Sequence, residues 1–276
     1  MHYAKILRVL KNPRPYYKEA LRRVSVKLNP PKHPPRKNAE SWAWCQEKAV
    51  DTKTALYKIA GFQNFRLLDD EFPEETRLAR AAVQNCPVPM GGLGNGELLY
   101  YLAEYLEATK VIETGVAYGW SSFALLLSLK NRANSLLIST DLPHVTKKGN
   151  EKFKKGDEIP MEYIGCAVPE HLKSAWKIIM RPDKDALPEA LKILPEIDLA
   201  HYDSDKSYEG RMRTYPILWK ALRRGGILIS DDVGDNFGFR DFSLSLGKEP
   251  IVVRYAPSKS IKFLTTPKYC GILIKN

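Results

Sequence analysis

The stretch Val111-Ile-Glu113-Thr-Gly115-Val-Ala117-Tyr-Gly119-Trp-Ser121-Ser122 leaves few folds open to this chain. A short apolar run ends on a carboxylate, turns through two glycines four residues apart, and enters a helical pattern near Ser121. Glycine allows a sharp turn and close backbone approach, and in open parallel sheets the ligand crevice lies beyond the carboxyl ends of the strands. The sequence repeats the strand-then-helix pattern. Strands are predicted at Val111–Thr114, Leu136–Thr140, Lys177–Met180, Asp198–Tyr202 and Ile227–Ser230, with helices near 97–107, 120–131, 167–176, 186–193 and 209–223. Such alternation implies a Rossmann-like α/β fold, doubly wound, with helices on both faces of a mostly parallel sheet.

After residue 230 the pattern changes. Strands are predicted near 250–255, 261–265 and 270–275, and an antiparallel pair from this tail would close a seven-stranded sheet. Residues 1–30 read as one or two basic helices, Asn29-Pro-Pro-Lys-His-Pro-Pro-Arg as a break, 41–60 as helical and 61–95 as irregular or partly helical. The expected organisation is a basic helical N-terminal extension over 1–60 and one α/β domain over 61–276.

Carboxylates follow the glycine turn at telling places. Asp141 closes the next strand, 26 residues after Gly115, where it can accept hydrogen bonds from two ribose hydroxyls. Asp185-Ala186 follows the third strand, where a side chain and an amide can meet an adenine edge; Asp183 competes for that place. Acids around the turn suit a ligand with an amino group and a sulfonium. A diphosphate would want free amides and no adjacent acid. The competing readings are capping for Glu113 and Asp185 and a surface turn for Asp141.

A second group lies in His201-Tyr-Asp203-Ser-Asp-Lys206-Ser-Tyr-Glu and in Gly225-Gly226-Ile-Leu-Ile-Ser-Asp231-Asp232. If these two strands are neighbours, Asp203, Asp231 and Asp232 converge at their ends. Three close carboxylates repel unless neutralised, and a hard cation such as Mg²⁺ takes oxygen ligands of this kind. Such an ion can lower the pKa of a substrate hydroxyl. Lys206, beside it, is the candidate base, with an ion pair as the competing reading. His201 falls inside a strand and suits a core or ligand-facing role more than that of a base; His144 and His171 lie in the long connection after the second strand. The lysines at 147, 148, 152, 154 and 155 in that connection suit a solvated loop, and Met90-Gly91-Gly92 stands where a loop could cover the ligand.

Glu113-x-Gly115-x-x-x-Gly119, then Asp141, then Asp185-Ala186, resembles the cofactor pattern of class I S-adenosylmethionine-dependent methyltransferases, over about residues 90–275. The resemblance implies that Glu113 and the turn from Gly115 through Ala117 to Gly119 and Ser121 hold the methionine part, and Asp141 the ribose. It also implies a cofactor contact at Asp185, Ala186 and Asp203. Asp203-Ser-Asp-Lys206 resembles metal-dependent O-methyltransferases of the catechol and caffeoyl-CoA type, although Asp232 stands where those carry Asn. The run through Asp203 also resembles macrocin-type sugar O-methyltransferases, which carry His at the place of Lys206. Together they imply O-methylation of a small phenol, sugar or natural product, with Mg²⁺ on Asp203, Asp231 and Asp232. Alternatives are an RNA- or protein-directed methyltransferase, or a non-catalytic docking module.

The net charge of +11 bears on those alternatives. Residues 1–60 hold 14 Lys and Arg against 4 Asp and Glu, and the remainder is nearly balanced. A localised basic segment can attract anionic membrane or nucleic acid, or form a solvated face. The four cysteines, Cys45, Cys86, Cys166 and Cys270, are widely spaced, which argues against a zinc site or disulfide scaffold. No apolar run approaches a membrane span, and the first residues lack a secretory pattern, so a cytoplasmic protein is expected. A homodimer is compatible with the sequence.

Overall fold

The computed structural model describes residues 39–88, 91–142, 160–256 and 267–276. The basic helices expected in 1–30, Met90, His144, the lysines from 147 to 155 and the strand expected at 261–265 lie outside the described residues.

Eight strands form one sheet: β1 (Val50–Asp51), β2 (Lys110–Thr114), β3 (Leu136–Asp141), β4 (Trp176–Met180), β5 (Ile197–Tyr202), β6 (Leu222–Ser230), β7 (Ile251–Tyr255) and β8 (Lys268–Ile274). Their order is β1-β7-β8-β6-β5-β2-β3-β4. Strands β2 to β6 pair in parallel, and β8 runs antiparallel between β6 and β7. The seven expected strands are thus joined at one edge by the two residues of β1, which pair with β7. Chain direction across the sheet reverses between β2 and β5, the place where such sheets open a ligand crevice.

Nine helices are used below: α1 (Ala39–Lys48), α2 (Thr52–Ala60), α3 (Leu68–Glu71), α4 (Pro73–Gln84), α5 (Gly96–Tyr105), α6 (Trp120–Leu129), α7 (Asp183–Ile193), α8 (Tyr208–Ala221) and α9 (Gly238–Ser245). Two cores flank the sheet, because alternate strand residues face opposite sides. Val111 joins the core with α5 and α6, and Ile112 the one with α7 and α8. Helix α6 is buried along nearly its whole length, as its unbroken apolar run Phe123–Leu127 requires. Local signals set several ends. Asp51 accepts from the Thr54 amide at 2.7 Å to start α2, Gly61 ends it at φ +74°, and Ser207 caps α8 by accepting from the Gly210 amide at 2.9 Å.

The described residues all fall within one compact unit. Residues 39–60, expected within an extension, instead lie on the sheet. Cys45 and Ser41 of α1 are fully buried, and Ser41 Oγ donates to the Gly234 carbonyl at 2.6 Å. No helix among the described residues is long and apolar enough to cross a membrane.

Candidate active site

The turn after β2 is built on left-handed backbone: Gly115 at φ +83°, Ala117 at +50° and Gly119 at +83°. The two glycines are required by the protein's own packing. A Cβ on Gly115 would stand 2.6 Å from the Asp203 carbonyl oxygen, and one on Gly119 2.9 Å from the Gly165 Cα. From outside, the Gly165 amide donates to the Ala117 carbonyl at 2.9 Å and the Ala167 amide to the Tyr118 carbonyl at 2.8 Å. Gly165 itself faces the Trp176 ring and carries φ +73°. Ser121, in the first turn of α6, is half-buried at the end of this turn.

Glu113 is fully buried. Its Oε2 accepts from Ser122 Oγ and from Ser139 Oγ (2.7 Å), and His201 Nδ1 stands 3.3 Å from its Oε1. This carboxylate therefore ties the start of α6 to β3 and β5 from beneath the turn. His201 is buried. Asp141 is half-buried, and its Oδ2 accepts from the Val116 and Ala117 amides at 3.2 and 3.0 Å.

At the end of β4 the structure separates two aspartates. Asp183 accepts from Thr140 Oγ1 at 2.8 Å and from Ser204 Oγ, which places it among the strand ends. Burial pushes its carboxyl above the usual range, against those two hydrogen bonds. Asp185 is exposed in the first turn of α7, while Ala186 is buried under it. His171 is exposed.

The acid group assembles on the other side of Gly115. The Asp203 amide donates to the Thr114 carbonyl at 2.8 Å, and the Asp231 amide to the Tyr202 carbonyl at 2.9 Å, so both follow from strand register. One carboxylate oxygen from each of Asp203, Asp231 and Asp232 lies within 4.8 Å of the others. Asp232 takes φ +51°, a left-handed conformation that aspartate tolerates better than most residues.

Cations surround the three acids. Lys206 Nζ pairs with Asp203 and stands 3.4 Å from Asp232 Oδ2, and Lys268 Nζ donates to Asp232 Oδ1 at 2.7 Å. The Tyr255 hydroxyl donates to Asp231 Oδ1. Arg211, fully buried, donates from Nη2 to the carbonyls of Asp231 and Asp232 at 3.3 and 2.8 Å and holds the β6 turn from behind. Burial lowers the Lys206 ammonium below the usual lysine range, outweighing the pull of Asp232 and Asp231. Burial alone would raise Asp232, but Lys206 and Lys268 carry it below the usual range.

Lys268, Tyr255 and Arg211 escaped the sequence reading. A signal existed for the first two. β8 is antiparallel, so its first residue and the last residue of β7 fall at the edge where the parallel strands end.

A doubly wound sheet of this order, with a glycine turn after its first long strand and an antiparallel strand closing it, is the class I methyltransferase fold. Residues 112–233 match a family described as a methyltransferase domain. No curated protein matches the sequence. One similar solved structure is the O-methyltransferase TomG from Streptomyces achromogenes, involved in tomaymycin synthesis and bound to SAM. It is 16% identical with a TM-score of 0.53 over 74% of this chain and 90% of that one. Another is an O-methyltransferase from Bacillus cereus in complex with SAH, 13% identical with a TM-score of 0.51 over 84% of this chain and 100% of that one. The chain thus carries a methyltransferase domain over residues 112–233, on a fold shared by S-adenosylmethionine-dependent O-methyltransferases.

Proposed function

We propose that the enzyme methylates a hydroxyl oxygen of a small molecule, assisted by a divalent cation. The observation that carries this reading is the meeting of the cofactor turn with the acid and lysine group: Gly115 packs on the Asp203 backbone, and Asp203 pairs with Lys206. A cofactor held at the turn thereby lies beside groups able to hold and deprotonate a hydroxyl.

The residues present fit the cofactor. Asp141, Asp183 and Asp203 stand at the ends of three neighbouring elements around the turn, a set of acids suited to a ligand bearing an amino group and a sulfonium. In this reading the turn from Gly115 to Gly119 and Ser121 receives the methionine part, Asp141 the ribose, and Asp185 with Ala186 borders the adenine. Glu113 acts beneath them as a positioning residue.

The residues also fit a hard cation: three oxygens from three side chains, close enough to share one ion after small adjustments. Asp203, Asp231 and Asp232 would hold it, and when bound it supplies Lewis acidity that lowers the pKa of a hydroxyl. Lys206, driven toward its neutral form by burial, takes the hydroxyl proton. Attack on the methyl carbon is in line with the leaving sulfur, so orientation of the acceptor oxygen is most of the work.

The test supplies methyl-labelled S-adenosylmethionine with a panel of phenols and sugars, in Mg²⁺ or in EDTA, and locates the label by NMR. The reading requires a methoxy product that EDTA suppresses. Label on nitrogen or carbon would refute oxygen as the acceptor, and EDTA-insensitive turnover would refute the cation.

A further inference from the structure

Each oxygen of Asp232 faces a lysine ammonium. Lys268 Nζ occupies Oδ1 at 2.7 Å, and Lys206 Nζ stands 3.4 Å from Oδ2. A divalent ion on Asp232 would therefore meet a resident ammonium, and like charges at contact distance repel strongly in a half-buried setting. One of the two lysines must move.

The two are held differently. Lys206 also pairs with Asp203, its carbonyl accepts from Asn236 Nδ2 at 2.8 Å, and its side chain is 22% exposed. Lys268 pairs with Asp232 and is 35% exposed. It is the first residue of β8, in register with Tyr255, the last of β7, so it stands at the tip of the strand and not within it. Its four-carbon stem can swing outward without disturbing the strand. Tyr255, its register partner, carries no positive charge and can stay on Asp231.

We infer that Lys268 is a resident counter-ion that neutralises Asp232 in the cation-free enzyme and is exchanged for the divalent cation. This rests on the cation reading of Asp203, Asp231 and Asp232 given above. The ammonium keeps three carboxylates together before the ion arrives, and its competition weakens the ion's binding. Once displaced, Lys268 stands at the rim of the hairpin, free of its acid.

The experiment titrates Mn²⁺ into the cofactor-free enzyme and reads free Mn²⁺ by electron paramagnetic resonance. Lys268→Met should tighten binding about tenfold, and Lys268→Arg, which keeps the charge, should not. Unchanged or weaker binding by Lys268→Met, with the wild type binding, would overturn the exchange and leave the cation reading standing. Failure of both proteins to bind would overturn both. A second measurement needs no variant: amine acetylation of the wild type, followed by mass spectrometry. Mn²⁺ should raise labelling at Lys268 several-fold. Unchanged or reduced labelling would refute release of the side chain.

Discussion

The Asp203 carbonyl oxygen lies 2.6 Å from the position that a Cβ on Gly115 would take. The glycine turn and the acid group are thus packed backbone to backbone. Gly115→Ala adds a methyl where backbone blocks it, at a left-handed φ of +83° that costs alanine about 1–2 kcal/mol before any clash. The expected result is at least roughly tenfold weaker S-adenosylmethionine binding by calorimetry, with a lower melting temperature. An alanine variant that binds as the wild type does would remove the structural role given to this glycine.

Asp232 follows β6, which β5 separates from β2 and its turn, so its loss should separate chemistry from cofactor binding. Asp232→Ala is expected to abolish cation-stimulated turnover while cofactor affinity stays within about twofold. Parallel loss of both would place Asp232 in the cofactor site instead.

The N-terminal ends of the central strands, away from the site, carry a test that involves no chemistry. Asp198 accepts from the Thr109 and Lys110 amides at 2.8 Å each and from Arg223 Nε at 2.6 Å. Burial would raise its carboxyl, but Arg223 and the two amides hold it below the usual range. A carboxyl depressed in the folded state stabilises above its unfolded pKa, and that contribution fades as pH falls through the folded value. Asp198→Ala should cost about 3 kcal/mol near neutral pH, with the gap to wild type closing below roughly pH 4 in urea unfolding. A gap that persists at low pH would mean that packing, not charge, carries the effect.

Helix α1 braces the loop that follows Asp232. Ser41 Oγ bonds the Gly234 carbonyl, and Trp42 meets the Tyr269 ring edge-on at 4.9 Å, next to Lys268. Ser41→Ala strands a buried carbonyl and should cost about 1–3 kcal/mol. If the brace reading holds, Mn²⁺ affinity falls too, and Lys48→Ala on the exposed end of α1 changes neither quantity.

Much of this site could be read in advance because its parts sit at strand ends. Asp203 and Asp231 follow adjacent parallel strands, so their convergence came from topology alone, and Lys206 sits three residues after the first of them. Glu113 was harder to place. Its partners Ser122, Ser139 and His201 come from a helix and two other strands, and their burial together depends on packing that no local pattern encodes. Asp183 stood as a competitor to Asp185, and only the reach of Thr140 and Ser204 set them apart. Lys268 and Tyr255 depend on the register of an antiparallel hairpin, which one residue of slip would reverse. Helix α9 was missed because Gly238-Phe-Arg-Asp-Phe-Ser-Leu-Ser spans only about two turns and opens on a glycine. The sheet contacts of residues 39–60 were hidden in the same way, since β1 contributes only two residues.

The central claim is that one site brings the methyl group and the cation together. The most direct measurement is the NMR line width of methyl-labelled S-adenosylmethionine bound to the enzyme, with Mn²⁺ or with diamagnetic Mg²⁺. Mn²⁺ should strongly broaden the methyl resonance, and the broadening should be lost in Asp232→Ala while the cofactor remains bound. A bound cofactor whose methyl resonance stays sharp at saturating Mn²⁺ would contradict it.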